Sequence, residues 1–201
     1  MKNTIRIIAF NTLIGLSFAA CNNENNSSTA NADKAKMDTE AAKPQAETPN
    51  ISTNASSTAS ISDIIKGYLV LKNALTADKT KEAATAGTAL QVAIKNFDQN
   101  ALTAEQKKVF ADVEDDAVEH AEHIGSNGGN IEHQREHFDT LSKDIYALVK
   151  EIGAGQSLYQ DFCPMYNDKK GATWLSETKD INNPYYGKKM ATCGSMKEEL
   201  K

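Results

Sequence analysis

The chain has 201 residues, with 22 Lys and Arg against 27 Asp and Glu, a formal charge of -5 at pH 7 and 40 % hydrophobic residues. An acidic balance of this kind argues against a nucleic-acid partner, whose phosphates call for a basic face. Once a leader and a polar stretch are set aside, the remaining length suits one domain with its own core.

Lys2 and Arg6 precede an apolar run broken only by Asn11, Thr12 and Ser17 and closed by small residues before Cys21, the layout of a secretory signal. The run is too short, and too soon followed by polar sequence, to span a membrane as a helix. Phe18, Ala19, Ala20 and Cys21 resemble the lipobox of bacterial lipoproteins. Residues 1–20 are therefore expected to be a lipoprotein signal peptide, with Cys21 lipidated and the mature chain held to a membrane by its acyl groups. Loss of the two positive charges of Lys2 and Arg6 takes the formal charge from -5 to -7. Residues 21–60 are Asn, Ser, Thr, Ala, Lys and Glu with almost no bulky apolar side chain; such a segment buries too little surface to fold and is expected to be a disordered tether.

Residues 61–152 carry helical periodicity. Ile61, Ile64, Ile65, Tyr68, Leu69, Leu71 and Leu75 form a first apolar stripe, after a cap at Ser60 or Ser62 and ending near Asp78. Ala83, Gly87, Leu90, Ile94 and Phe97 form a second, at steps of three and four. Thr103 and Gln106 have the spacing of a capping box and open a third helix on Phe110, Val113, Ala117 and Ile124. The fourth runs on Ile131, Phe138, Leu141, Ile145, Leu148 and Ile152 and is closed by Gly153 and Gly155. Four amphipathic segments with short connections predict a mainly α fold, an antiparallel four-helix bundle. No GxGxxG, Walker loop, GxSxG, CxxC or HExxH occurs, so the usual sequence warrants for an enzyme are missing, and none is expected.

All four histidines lie between positions 120 and 137, flanking the glycine-rich turn that joins the third and fourth helices. His120 and His123 are three apart and His133 and His137 four apart, so each pair shares a helix face. Folding the two helices back on each other brings the imidazoles near the turn, where they can converge on one ion. His120 also falls on the apolar stripe of its helix and by itself reads as a core histidine. Neutral imidazole predominates at pH 7, so ligation there needs little proton release.

Beyond Gly155 the helical period ends, and residues 153–201 read as a loop-rich C-terminal segment with short strands, Ala172–Leu175 and Lys189–Thr192, packed on the bundle as part of the same domain. Cys163 and Met165, and Met190 and Cys193, each place a thiol and a thioether close in sequence, the donor pair that selects soft ions such as Cu(I). Zinc more often takes CxxC pairs or Cys/His sets. Against this stand two plainer readings: a Cys163–Cys193 disulfide, usual for an exported protein, and methionines that merely fill core gaps.

The blocks IEHQREHFDTLS, CPMYNDKKGATWLS and INNPYYGKKMATCG resemble an uncharacterised domain of Gram-negative bacterial envelopes, found as small lipoproteins and as C-terminal extensions of periplasmic adaptor (membrane-fusion) proteins of copper/silver efflux systems. The resemblance spans roughly residues 61–201. It places the family's Cys-Pro-Met on Cys163, Pro164 and Met165, its closing Met and Cys-Gly on Met190, Cys193 and Gly194, its His-Gln-Arg-Glu-His run on residues 133–137, and an upstream histidine on His123. It implies a lipoprotein facing the periplasm that binds a soft heavy metal, Cu(I) or Ag(I), through Cys163, Met165, Met190 and Cys193. His123, His133 and His137 would complete that site or form a second for Cu(II) or Zn(II), and the partner would be a heavy-metal efflux adaptor. The competing expectation is a disulfide-stapled interaction module that docks on an envelope complex without metal.

Overall fold

A computed structural model describes residues 60–201. The expected signal peptide, the lipidation of Cys21 and the tether up to residue 59 lie outside the described residues. Four helices follow one another, α1 (Ile61–Thr76), α2 (Thr80–Lys95), α3 (Ala104–Ser126) and α4 (Ile131–Ile152), and pack in chain order, with α4 also meeting α1. The predicted apolar stripes face inward: Ile64, Tyr68, Leu71, Leu75, Leu90, Ile94, Phe110, Ala117, Ile124, Phe138, Leu141, Ile145 and Leu148 are fully buried. Among the described residues, no helix is long and apolar enough to cross a membrane.

Local chemistry explains the helix ends. The Asp63 carboxylate accepts from the Ser60 amide at 2.8 Å, closing the start of α1. Thr103 and Gln106 exchange hydrogen bonds at the start of α3, 3.3 Å from the Gln106 amide to Thr103 Oγ1 and 3.1 Å from the Thr103 amide to Gln106 Oε1. Helices α2 and α3 approach closely where Gly87 faces the main chain of Ala121 and Gly125; a Cβ there would stand 2.9 Å from the Ala121 carbonyl oxygen. This contact fixes the end of α3 that carries the histidines.

The C-terminal segment is more ordered than a set of loops. It forms an antiparallel three-stranded sheet, order β2-β1-β3, from β1 (Leu158–Cys163), β2 (Ala172–Ser176) and β3 (Ser195–Leu200). β2 covers the strand expected at Ala172–Leu175, and it packs on α1 and α4. The strand expected at Lys189–Thr192 is not one: Gly187–Met190 is a 3₁₀ turn, because buried Asn183 holds this stretch as a closed loop. Its amide donates to the Ala191 carbonyl at 2.8 Å, its Nδ2 donates to the Cys193 carbonyl at 2.7 Å, and its Oδ1 accepts from the amides of Tyr185 and Tyr186.

Three buried polar groups lock the sheet and its loops to the helices. Tyr68 Oη on α1 lies 2.8 Å from Ser142 Oγ on α4 and accepts the Leu175 amide of β2 at 3.0 Å. Arg135 donates to the carbonyls of Pro184 at 2.7 Å and Leu75 at 3.0 Å and pairs with Asp78 at 2.7 Å. Lys72, almost wholly buried, pairs with Glu177 at 2.7 Å.

Candidate metal centre

The histidine cluster sits at the turn end of the α3–α4 hairpin. Asn130 caps α4 by accepting the His133 amide at 3.1 Å, and buried Gln134 donates to the carbonyls of Ile124 at 3.1 Å and Thr80 at 3.0 Å. Gln134 thereby ties the first turn of α4 to the ends of α3 and α2. His133 and His137 face α3, and His120 and His123 face back. Ligand atoms of His123, His133 and His137 all lie within 4.8 Å of one another, the spread that one ion can gather with small side-chain adjustments.

His120 is not a core histidine. It is half-buried, and its Nδ1 lies 2.9 Å from Nδ1 of His137. His137 is the hub: its Nε2 lies 3.2 Å from Nε2 of His133, and its ring stacks on that of His123 at 4.3 Å. Burial, reinforced by the three neighbouring imidazoles, lowers the His137 pKa to about 4, so the ring is a neutral donor at neutral pH. Burial also lowers the pKa of His120. Acids stand at the mouth of the cluster, with Glu119 3.8 Å from His123 Nε2 and Glu136 3.4 Å from His133 Nδ1.

The thiols form a second group. Cys163 ends β1 and is fully buried; Cys193 precedes β3 and is half-buried; their sulfurs are 2.9 Å apart, both as free thiols. The hydrogen bond with Cys163 and burial raise the Cys193 pKa to about 11, against a smaller opposing pull from the Met165 amide. The close approach requires a glycine after Cys193: a Cβ on Gly194, at φ +150°, would stand 2.9 Å from the Trp174 ring and 3.1 Å from the Phe162 carbonyl oxygen. Met165 is 43 % exposed and its carbonyl accepts from Tyr186 Oη at 2.8 Å. Met190 lies half-buried in its turn, its carbonyl accepting the Cys193 amide at 3.0 Å. Both methionines thus flank the thiols through their main chains.

His133 and His137 meet α3 on one face of α4, whereas Arg135 and Phe138 meet the C-terminal loops at Pro184 and Tyr185 on another. Spacing in the sequence was enough to find the two histidine pairs. The supports were hidden, since Gln134, Asn183 and Arg135 are polar residues whose burial no periodicity announces.

A family model described as a protein of unknown function (DUF3347) matches residues 64–157, so a DUF3347 domain is found across the helical bundle. No curated protein and no solved structure matches the chain. The matched stretch includes all four histidines and stops before β1, leaving Cys163 and Cys193 outside it.

Proposed function

We propose that this protein is a lipid-anchored envelope protein that captures heavy-metal ions of the copper type and stores them or passes them to an efflux adaptor. The observation that carries the reading is the convergence of His123, His133 and His137, from two helices, within 4.8 Å. Imidazole donors suit Cu(II) and Zn(II), while the adjacent thiols of Cys163 and Cys193 suit Cu(I) and Ag(I). Met165 and Met190, whose main chains flank that pair, would supply thioethers to it. The excess of acids over bases favours encounter with cations. Because the thiol of Cys193 holds its proton tightly, loading the sulfur pair must release protons, and affinity there rises with pH.

The test is a chelator-competition titration of the full-length protein, anaerobically with Cu(I) and separately with Zn(II). Cys163→Ser with Cys193→Ser is expected to abolish Cu(I) retention and leave Zn(II) binding intact. Alanine at His123, His133 and His137 is expected to do the reverse. Unchanged stoichiometry in the cysteine variant would refute the sulfur site.

The 2.9 Å thiol contact also favours a second reading. Joined as a disulfide, these cysteines would staple the end of β1 to the loop before β3 and leave an interaction module without a soft-metal site. Counting free thiols in protein isolated without reductant separates the two, since no thiols and no bound metal would support the module.

A further inference from the structure

In a neutral imidazole one ring nitrogen carries the proton and the other a lone pair, so the partners of each ring fix which nitrogen is free to bind a metal. His133 Nδ1 faces the Glu136 carboxylate at 3.4 Å, a charge that holds the proton on Nδ1 and leaves Nε2 as the lone-pair atom. His123 Nε2 faces Glu119 at 3.8 Å, longer than a hydrogen bond, and that charge favours the proton on Nε2 over Nδ1. His137 has no carboxylate in this role among the described residues. Its two nitrogens face two other imidazoles: Nε2 points at Nε2 of His133, 3.2 Å away, and Nδ1 points at Nδ1 of His120, 2.9 Å away.

If His137 carried its proton on Nε2, that proton would occupy the space between its ring and His133 where an ion must sit. With the proton on Nδ1, it is donated to His120, and the lone pairs of His137 and His133 converge. We propose that His120 is the positioning residue of the imidazole site, accepting the Nδ1 proton of His137 and so presenting Nε2 of His137, Nε2 of His133 and Nδ1 of His123 to one metal ion. This rests on the metal-capture reading above and extends it to the donor atoms. Each of the three ligands then has an outer partner for its second nitrogen: Glu119 for His123, Glu136 for His133 and His120 for His137. Such partners set ring orientation and donor strength, and their removal typically costs 10- to 100-fold in metal affinity.

Cd(II) is a diamagnetic probe whose bound nitrogens are read from metal–nitrogen coupling. With the full-length, 15N-histidine-labelled protein loaded with 113Cd, coupling is expected at Nε2 of His133, Nε2 of His137 and Nδ1 of His123, with a retained proton on Nδ1 of His137. His120→Ala is expected to weaken Cd(II) about 10- to 100-fold. His120→Asn, whose Oδ1 takes nearly the place of Nδ1 as an acceptor, is expected to restore affinity to within a few-fold. Coupling to Nδ1 of His137 or to His120, or an Asn variant as weak as the Ala variant, would overturn the positioning role while leaving metal capture standing. Coupling to no imidazole at all would overturn the capture site and this inference with it. The coupling pattern is read on the unsubstituted protein, so it does not depend on how either variant folds.

Discussion

Asp161 offers a sharp test of how the sheet is held on the bundle. It lies in the middle of β1 opposite Trp174, fully buried, and neither of its carboxylate oxygens has a hydrogen-bond partner among the described residues. Burial raises its pKa from 3.8 to about 6, with Lys72 pulling in the opposite direction. Because the folded pKa is above the unfolded one, the unfolded chain gives up this proton first as pH rises. Folding stability therefore falls between about pH 4 and pH 6 and stays reduced above that. At roughly 1.4 kcal/mol per pH unit, the rise corresponds to a penalty of about 3 kcal/mol at neutral pH, an upper figure because local relaxation lowers it. Asp161→Asn removes the ionisation and keeps the shape. Urea unfolding of the full-length protein and the variant should give nearly equal stabilities at pH 4, and at pH 7 the variant should be more stable by 1–3 kcal/mol, on the order of that penalty. Asp144, whose pKa burial and Asp116 likewise raise to about 6, is present in both proteins and cancels. A stability difference independent of pH, or a variant less stable than the unsubstituted protein at pH 7, would refute the reasoning.

Three further outcomes follow from the same contacts. Tyr68→Phe leaves the buried Leu175 amide without its acceptor and should cost about 1–3 kcal/mol, visible in thermal unfolding; a loss below about 0.5 kcal/mol would show that the hydrogen bond between β2 and α1 contributes little. Gly187→Ala places a methyl at φ +52° against the Asp78 carboxylate and 2.6 Å from the Arg135 guanidinium, so it should destabilise by about 1–3 kcal/mol, with hydrogen exchange rising first in residues 183–193. Alkylation of Cys193, followed by peptide mass spectrometry, should keep accelerating with pH up to about 11, whereas a plateau below pH 9 would contradict its raised pKa.

The helices were legible because their apolar residues recur at the helical period and because the Thr103–Gln106 box is a local signal. The histidine faces were legible for the same reason, since spacings of three and four determine which side chains share a face. The sheet was harder to read. β1 carries Asp161 at a fully buried position, which breaks the alternation a strand shows in sequence. β3 reads SMKEEL, a mostly exposed edge strand whose charges resemble those of a loop. The stretch Lys189–Thr192 misled because the determinant of its turn is the side chain of Asn183, several residues upstream. Nor could spacing reveal that Cys163 and Cys193 meet, because that contact depends on β1 and the segment leading into β3 being neighbours in the sheet.

The central claim is that three imidazoles from α3 and α4 hold a metal ion, and X-ray absorption of the zinc- or copper(II)-loaded full-length protein tests it most directly. The account predicts three imidazole nitrogens in the first shell at about 2.0 Å, with the ring scattering lost when His123, His133 and His137 are replaced by alanine. A first shell of oxygen alone, or an imidazole signal that persists in that variant, would contradict it.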